Sequence, residues 1–159
     1  MDVHYIDGGA RAAGVGFAAW DAEQPVGTWV VTIPEVDGYV PGDFYRRELP
    51  CLLALLEVVD RRVSTLIVDG NAWNAPARPG LGAHLWEALR QRVPVVGVAK
   101  TALRGVVAEE VLRGTSRKPL FVTAAGLDDA VAAAHVASMA GAHRIPALLK
   151  AVDRLARQS

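Results

Sequence analysis

The chain has 159 residues and a mass of 16.9 kDa, the size of one ordinary domain that can bury a sizeable core. Hydrophobic residues make up 52% and charged residues 21%, which is a globular composition and excludes a disordered tail. Seventeen basic side chains balance seventeen acidic ones, which argues against a polycation that coats nucleic acid or an anionic membrane.

The balanced total conceals a division of charge along the chain. Residues 1–60 contain three basic and ten acidic side chains, whereas residues 61–159 contain fourteen and seven. Fourteen of the seventeen basic residues are Arg, whose planar guanidinium suits phosphate. A local site for nucleic acid is therefore compatible with the zero net charge.

Cysteine content and hydropathy limit the environment of the protein. The single Cys51 excludes an intramolecular disulfide and a cysteine-based zinc site, and its leucine neighbours predict a buried position. No apolar run reaches the roughly 18 residues of a membrane span, and the N-terminus, MDVHYID, lacks a signal-peptide pattern. We expect a cytoplasmic monomer without a membrane partner, folded as one domain over residues 1–159.

The first third of the chain predicts an antiparallel meander. Residues 3–7, 13–20 and 26–33 are rich in β-branched and aromatic side chains, and Gly- or Pro-containing turns separate them. Helical spacing of apolar residues then begins near Arg47 and continues to Val59.

Strands and helices alternate through the remaining chain. Short apolar runs predict buried strands, and amphipathic or Ala-rich stretches predict helices. The strands are expected at 64–68, 93–98 and 120–123, and the helices at 81–92, 128–139 and 146–157. This order is that of the ribonuclease H-like architecture, an α/β fold whose mixed sheet has three antiparallel strands followed by parallel strands, with flanking helices.

Two acids follow predicted apolar strands and precede glycines. Asp7 ends the first strand, and Asp69 ends the fourth. If these strands are neighbours, the two carboxylates converge, and a shared cation relieves their repulsion. Carboxylate ligation suits Mg²⁺ or Mn²⁺. The alternative is that each acid only caps a turn.

Two further acids lie on predicted helices. Glu48 begins an otherwise apolar helix, where the helix dipole alone also favours an acid. Asp153 lies at the edge of the apolar stripe of the last helix, and an ion pair with Arg157 is the alternative role for it.

Five short segments, in order along the chain, resemble the endonuclease V family. They are YVPG at 39–42 with Arg47, Glu48 and Pro50; VDGN at 68–71 with Pro76, Arg78, Gly80 and AHL at 83–85; VGVAK at 96–100; KPLFV at 118–122; and RIP at 144–146. The resemblance implies a ribonuclease H-like fold and metal-dependent cleavage of a phosphodiester bond near deoxyinosine in DNA or inosine in RNA. The expected products carry 3′-hydroxyl and 5′-phosphate ends.

The resemblance also implies roles for the acids and for one lysine. Asp7, Glu48 and Asp69 fall on metal-binding acids of the family, and Asp153 falls on a C-terminal position where the family carries His or Asp. The implied cofactor is Mg²⁺, with Mn²⁺ as a substitute. Lys100 falls on a lysine near the scissile phosphate, although a solvated surface role is the alternative.

Nucleic-acid contacts are expected from loops around the acids. Tyr39 falls on a wedge residue that separates strands beside a lesion, or it is a turn aromatic packed on the core. The expected nucleic-acid-binding residues are Tyr39, Pro41, Gly70, Asn71, Trp73 and Arg78, and four further basic residues could face phosphates: Arg104, Arg113, Arg117 and Lys118.

The sequence departs from the family pattern at positions that contact substrate. Ala75 stands where the family normally has His, Gly38 stands where it has Pro, and the stretch 100–118 is short. Two alternatives therefore stay open. One is a nucleic-acid-binding module that does not cleave, or that cleaves only with a partner. The other is a nuclease with a different structure-specific substrate, such as flaps, uracil or abasic sites.

Overall fold

The computed structural model describes residues 1–36, 38 and 44–158. Its elements in chain order are β1 (Asp2–Ile6), β2 (Gly9–Gly16), β3 (Gly27–Ile33), α1 (Tyr45–Val58), β4 (Leu66–Asp69), β5 (Trp73–Ala75), β6 (Arg78–Pro79), α2 (Leu81–Ala88), β7 (Val95–Ala99), β8 (Glu109–Val111), β9 (Leu120–Ala125), α3 (Asp129–Ser138) and α4 (Ala147–Arg157). The expected mixed α/β architecture is confirmed.

The N-terminal meander is antiparallel, in the order β1-β2-β3. Ile6 pairs with Gly9, so Asp7 and Gly8 form a two-residue hairpin turn, and Gly8 has a φ of +78°. Asp-Gly is favoured in such turns because left-handed backbone conformations are accessible there. The second strand therefore begins at Gly9, four residues earlier than the predicted start at residue 13.

The second sheet has the order β4-β7-β9-β8. β4 and β7 run parallel, as predicted, but β9 is antiparallel to both β7 and β8. The expectation that all later strands run parallel is therefore wrong for β9. A parallel return requires a crossover connection, usually a helix, and the segment between β7 and β9 contains only the short strand β8.

One main-chain hydrogen bond connects the two sheets at their junction. The nitrogen of Met1 donates to the carbonyl of Ile67 at 2.7 Å. The start of β1, and not its end, therefore lies beside β4. This contact decides which acidic residue of the first strand approaches Asp69.

Small side chains on β2 allow helices to pack on both faces of the meander. Ala12 faces α1, where it clusters with Cys51 and Leu55, and Cys51 is buried as predicted. Ala13 faces α4, where it packs with Val152 and Ala156. Because alternate strand residues point to opposite faces, α1 and α4 pack on opposite sides of the meander. Each of the two helices contributes one acid to the same region.

Within residues 1–36, 38 and 44–158, no helix is long and apolar enough to cross a bilayer.

Candidate active site

The carboxylates of the candidate site come together where β1 begins and β4 ends. Asp2, the first residue of β1, interacts electrostatically with Asp69 and Asp153. Burial, followed by the negative charge of Asp69, raises the pKa of Asp2. Asp2, Asp69, Lys100 and Asp153 line one cavity of about 350 Å³.

The predicted convergence of Asp7 with Asp69 is wrong. Asp7 is exposed in the hairpin turn that follows β1. It is five residues from Asp2, and a strand that rises about 3.3 Å per residue separates the two by about 16 Å. Asp2 therefore occupies the place in the cluster that was expected for Asp7.

Asp69 is held in place by the loop that follows β4. The Gly70 nitrogen donates to the Val98 carbonyl at 3.0 Å, and the Ala72 nitrogen donates to Thr123 Oγ1 at 2.8 Å. Gly70 has a φ of +122°, which a residue with a side chain rarely adopts. This hydrogen bonding fixes the direction in which the Asp69 carboxylate leaves the sheet.

Lys100 pairs directly with Asp69. Its Nζ donates to Asp69 Oδ2 at 2.6 Å, and both side chains are partly exposed. Burial lowers the pKa of Lys100, but the bond to Asp69 outweighs this effect, so the net pKa lies above its ordinary value. The structure thus places an ammonium group at the mouth of the acidic cluster.

Glu48 is the most deeply buried acid of the group, with 8% of its surface exposed. Burial, and then the negative charges of Asp2 and Asp69, raise its pKa to about 8. Two smaller effects act in the opposite direction and lower its pKa, namely the positive charge of Arg47 and the interaction of the carboxylate with the Tyr5 hydroxyl. A buried acid facing two other acids is costly unless a proton or a cation compensates its charge.

Asp153 on α4 faces the cluster but also has a partner on its own helix. Arg157 Nε donates to Asp153 Oδ1 at 3.0 Å, as the ion-pair alternative predicted. Burial alone raises the pKa of Asp153, but the bond to Arg157 and the charge of Lys100 bring the net pKa below its usual value. Asp153 therefore interacts both with the acidic cluster and with Arg157.

The donor set fits a hard divalent cation, although the ligands are not arranged around one point. Among the described residues, no three His, Cys, Asp or Glu side chains are grouped closely enough to hold a metal ion as they stand. The four acids near the junction nevertheless supply only carboxylate oxygens, which Mg²⁺ and Mn²⁺ prefer. The raised pKa of Glu48 reflects its burial and the negative charges of Asp2 and Asp69, effects that a bound cation would offset.

The residues expected to contact nucleic acid have varied environments. Tyr39 and Pro41 lie outside the described residues. A Cβ added to Gly70 would meet nothing within 4 Å, so space is open beside this backbone. Asn71 Oδ1 is buried and has no hydrogen-bond partner within the described chain.

Trp73 and Arg78 differ in exposure. The Trp73 indole is partly buried, packs against Ala72 and Ala83, and donates from Nε1 to the Ala124 carbonyl at 2.9 Å. Its orientation is therefore fixed by the core. Arg78 is exposed on the β5–β6 hairpin, where its guanidinium is accessible to a ligand.

The expectation that Arg113 faces phosphates is wrong. Arg113 is only 7% exposed, and its guanidinium donates to main-chain carbonyls between residues 139 and 144. Arg104, Arg117 and Lys118 are exposed, in agreement with a solvent-facing role. Sequence periodicity could not separate the two kinds of arginine, because these segments have no regular helical pattern.

Sequence reasoning missed Asp2, although a signal for it was present. The Asp-Gly dipeptide at residues 7–8 is a strong hairpin-turn signal, which assigns Asp7 to the turn. Asp2 is then the only acid left on the first strand.

The fold and the acidic junction together define a class of protein. A ribonuclease H-like sheet that collects four carboxylates and a lysine at a strand junction is the arrangement of a nuclease, which is a hydrolase. The family model described as Endonuclease V matches residues 1–145 of the chain. The chain belongs to the endonuclease V family.

Individual relatives agree with this assignment. Endonuclease V of Xanthomonas oryzae pv. oryzae is 31% identical over 181 residues, a match that covers 98% of this chain and 74% of the relative. Endonuclease V of Rhodospirillum centenum is 44% identical over 84 residues, covering 52% of this chain and 34% of the relative.

Solved structures show the same fold. The crystal structure of endonuclease V from Streptomyces avermitilis has a TM-score of 0.71 and 26% identity, and the match covers 92% of this chain and 79% of that one. Endonuclease V of Ciona intestinalis, solved with a 23mer DNA that contains an inosine, has a TM-score of 0.73 and 17% identity, covering 92% and 83%. At that identity the likeness concerns the fold alone.

Proposed function

We propose that this protein is a Mg²⁺-dependent endonuclease that hydrolyses a phosphodiester bond near deoxyinosine in DNA or inosine in RNA. The products would carry 3′-hydroxyl and 5′-phosphate ends. The observation that carries the proposal is the meeting of Asp2, Glu48 and Asp69 from three separate elements, in a chain of this family. The inosine-containing DNA bound by the Ciona relative supports the substrate class.

Asp2, Glu48 and Asp69 would hold Mg²⁺, with Asp153 as a fourth candidate ligand. Bound there, the metal supplies an activated water and compensates negative charge on the phosphate. Mn²⁺ accepts the same oxygen donors and would substitute for it.

Lys100 would bind a non-bridging oxygen of the substrate phosphate. Its ammonium already lies 2.6 Å from Asp69 Oδ2, so a phosphate held beside Asp69 lies within reach of the same group. A lysine is protonated at neutral pH, and the bond to Asp69 raises the pKa of Lys100 above its ordinary value. Its positive charge therefore adds to charge compensation in the transition state.

The Asp69 loop would receive the altered base. Gly70 leaves open space, and the unpartnered Asn71 Oδ1 can accept a hydrogen bond from an N–H of the base. Arg78 would contact a nearby phosphate, Tyr39 and Pro41 would form the wedge, and Trp73 would line the pocket with the part of its indole that is accessible.

Cleavage of matched oligonucleotides tests the proposal. One strand of each DNA duplex carries a 5′ label and either one deoxyinosine or deoxyadenosine, and the RNA pair carries inosine or adenosine. We expect nicking of an inosine substrate with Mg²⁺ or Mn²⁺ and none with EDTA. Asp69→Asn should lower the rate by about 100-fold or more while the far-ultraviolet spectrum stays that of the parent. Asp21→Asn, an exposed acid in the β2–β3 loop, is the matched control.

A nucleic-acid-binding module is the second candidate function. The observation that favours it is that, in the described part of the chain, no three potential ligands are grouped for metal binding. Binding of the inosine oligonucleotides without cleavage under every metal condition would support the module. Cleavage of flap, uracil or abasic substrates in place of inosine substrates would point to a different nuclease specificity.

A further inference from the structure

Arg144 lies at the point where the pairing between β7 and β9 stops. The last pair of this ladder joins Ala99 to Phe121. Two residues before Phe121 the chain has Pro119, which carries no N–H and cannot donate to the neighbouring strand. The described ladder ends at this pair, one residue before Lys100, and Pro119 lies opposite Thr101 if the same register is continued.

The guanidinium of Arg144 joins the two strand ends beyond the last pair. Its Nη2 donates to the carbonyl of Lys100 and, at 2.8 Å, to the carbonyl of Pro119. One side chain thus connects the backbone after β7 to the backbone before β9. A planar guanidinium can do this because its N–H groups point in fixed directions.

Arg113 restrains the backbone of the segment that carries Arg144. Arg113 is 7% exposed and donates to the carbonyls of Gly141 at 3.1 Å, His143 at 2.9 Å and Arg144 at 3.4 Å, and also to that of Met139. The segment that carries Arg144 therefore has a fixed backbone. Arg144 Nε is buried without a partner in the described chain. The residue also lines the cavity that contains Asp69 and Lys100, so it borders the acidic site.

We propose that Arg144 is a positioning residue that fixes the backbone of Lys100 and thereby aims its ammonium at Asp69 and at the substrate phosphate. This inference rests on the proposed function of Lys100. The geometry joins the two groups directly, since the Lys100 carbonyl accepts from Arg144 while Lys100 Nζ bonds Asp69 at 2.6 Å. Arg144 acts on the reaction through Lys100 and need not touch the phosphate itself.

A double-mutant cycle separates this role from a general effect on stability. Arg144→Ala should lower the single-turnover cleavage rate by about ten- to 100-fold, because a displaced catalytic group costs that much. The KM should change by less than about twofold, since the interaction is made mainly in the transition state. In a Lys100→Met background, Arg144→Ala should lower the rate by less than about twofold further, because the group it positions is already absent.

Two further variants complete the cycle. Arg144→Lys keeps the charge but presents a compact ammonium in place of the planar fork, so we expect a rate between those of the parent and Arg144→Ala. Arg92→Ala, an exposed arginine before the start of β7 and hence at its opposite end from Lys100, should behave as the parent. An equal loss for Arg144→Ala in both backgrounds, parent-like rates, or an equal loss in Arg92→Ala overturns the proposal.

Hydrogen exchange measured by mass spectrometry distinguishes failure of this inference from failure of the proposed function. If the parent cleaves no inosine substrate, the proposed function fails, yet the backbone restraint can still be measured. Arg144→Ala should then speed amide exchange in the peptide that contains Lys100 and Thr101 by about tenfold relative to Arg92→Ala. Unchanged exchange in that peptide overturns the positioning role independently of activity.

Discussion

Lys100 Nζ lies 2.6 Å from Asp69 Oδ2, so the ammonium bonds an oxygen that would also coordinate a metal ion. The carboxylate and the ammonium follow neighbouring parallel strands, β4 and β7, and meet at the edge where both strands end. The Lys100 ammonium therefore competes with a metal ion for Asp69 in the free protein, and it can bind a phosphate oxygen in the complex with substrate.

Removal of this ammonium should separate metal binding from cleavage. Lys100→Met should tighten Mn²⁺ binding by about two- to fivefold, because a partly exposed ion pair is worth up to roughly 1 kcal/mol. Cleavage should nevertheless fall, since the phosphate loses its cation. Isothermal titration calorimetry without nucleic acid measures the first effect, and single-turnover cleavage measures the second. Weaker Mn²⁺ binding in Lys100→Met would contradict the competition.

Asp2 and Asp7 form a matched pair for testing the position of the acidic cluster. Asp2→Asn should weaken Mn²⁺ binding and lower cleavage by about 100-fold or more, because it removes a charged ligand near Asp69. Asp7→Asn, in the hairpin turn, should leave both quantities close to those of the parent. The reverse result, with Asp7→Asn as the inactive protein, would place the metal site elsewhere.

Burial of Glu48 predicts a pH dependence of stability in EDTA. Its folded-state pKa is about 8, against an ordinary value of 4.5, so between these pH values the folded state holds a proton that the unfolded state has released. The contribution of Glu48 to the free energy of unfolding should therefore fall as the pH rises through this window, and it should level off above pH 8.

Chemical denaturation of the parent and Glu48→Gln between pH 5 and 8 measures this effect. Glu48→Gln should show a clearly shallower decline, because it cannot titrate. Two other groups contribute equally in both proteins: the raised pKa of Asp2 gives a slope of the same sign, and the buried Met1 amine, with its pKa lowered to about 6, gives a slope of the opposite sign. An identical decline in the two proteins would show that Glu48 ionises normally in the folded state.

The turn between β5 and β6 offers a test of the backbone that is independent of the site chemistry. Ala77 has a φ of +58°, a conformation that costs a residue with a Cβ about 1 kcal/mol. Ala77→Gly should therefore stabilise the protein by about 0.5 to 1 kcal/mol in thermal or chemical unfolding. The same change at the exposed Ala134 within α3 should destabilise it by about 1 kcal/mol. Equal signs for the two substitutions would refute the turn geometry.

Patterns within single segments predicted much of this molecule. The buried strands around Val68 and Val96, the amphipathic last helix and the parallel β4–β7 pair all follow from local hydropathy and known connection rules. The family segments also selected Glu48, Asp69, Asp153 and Lys100, which the structure brings to one region. Their assignment as metal ligands and phosphate contact stays a prediction.

Local patterns did not predict which end of β1 approaches β4. The Asp-Gly dipeptide assigns Asp7 to a turn, but only the Met1–Ile67 contact shows that the start of the five-residue strand lies beside β4. The antiparallel direction of β9 and the buried position of Arg113 likewise depend on packing between distant segments.

The sequence by itself determined the family, the order of most elements and the supply of acids and arginines, because these depend on residue identity and short-range spacing. The tertiary structure decided that Asp2 replaces Asp7, that Arg113 bonds carbonyls, and that Arg144 restrains Lys100. These relationships join residues far apart in the chain. They arise when strands pair and helices pack, so local sequence patterns alone do not specify them.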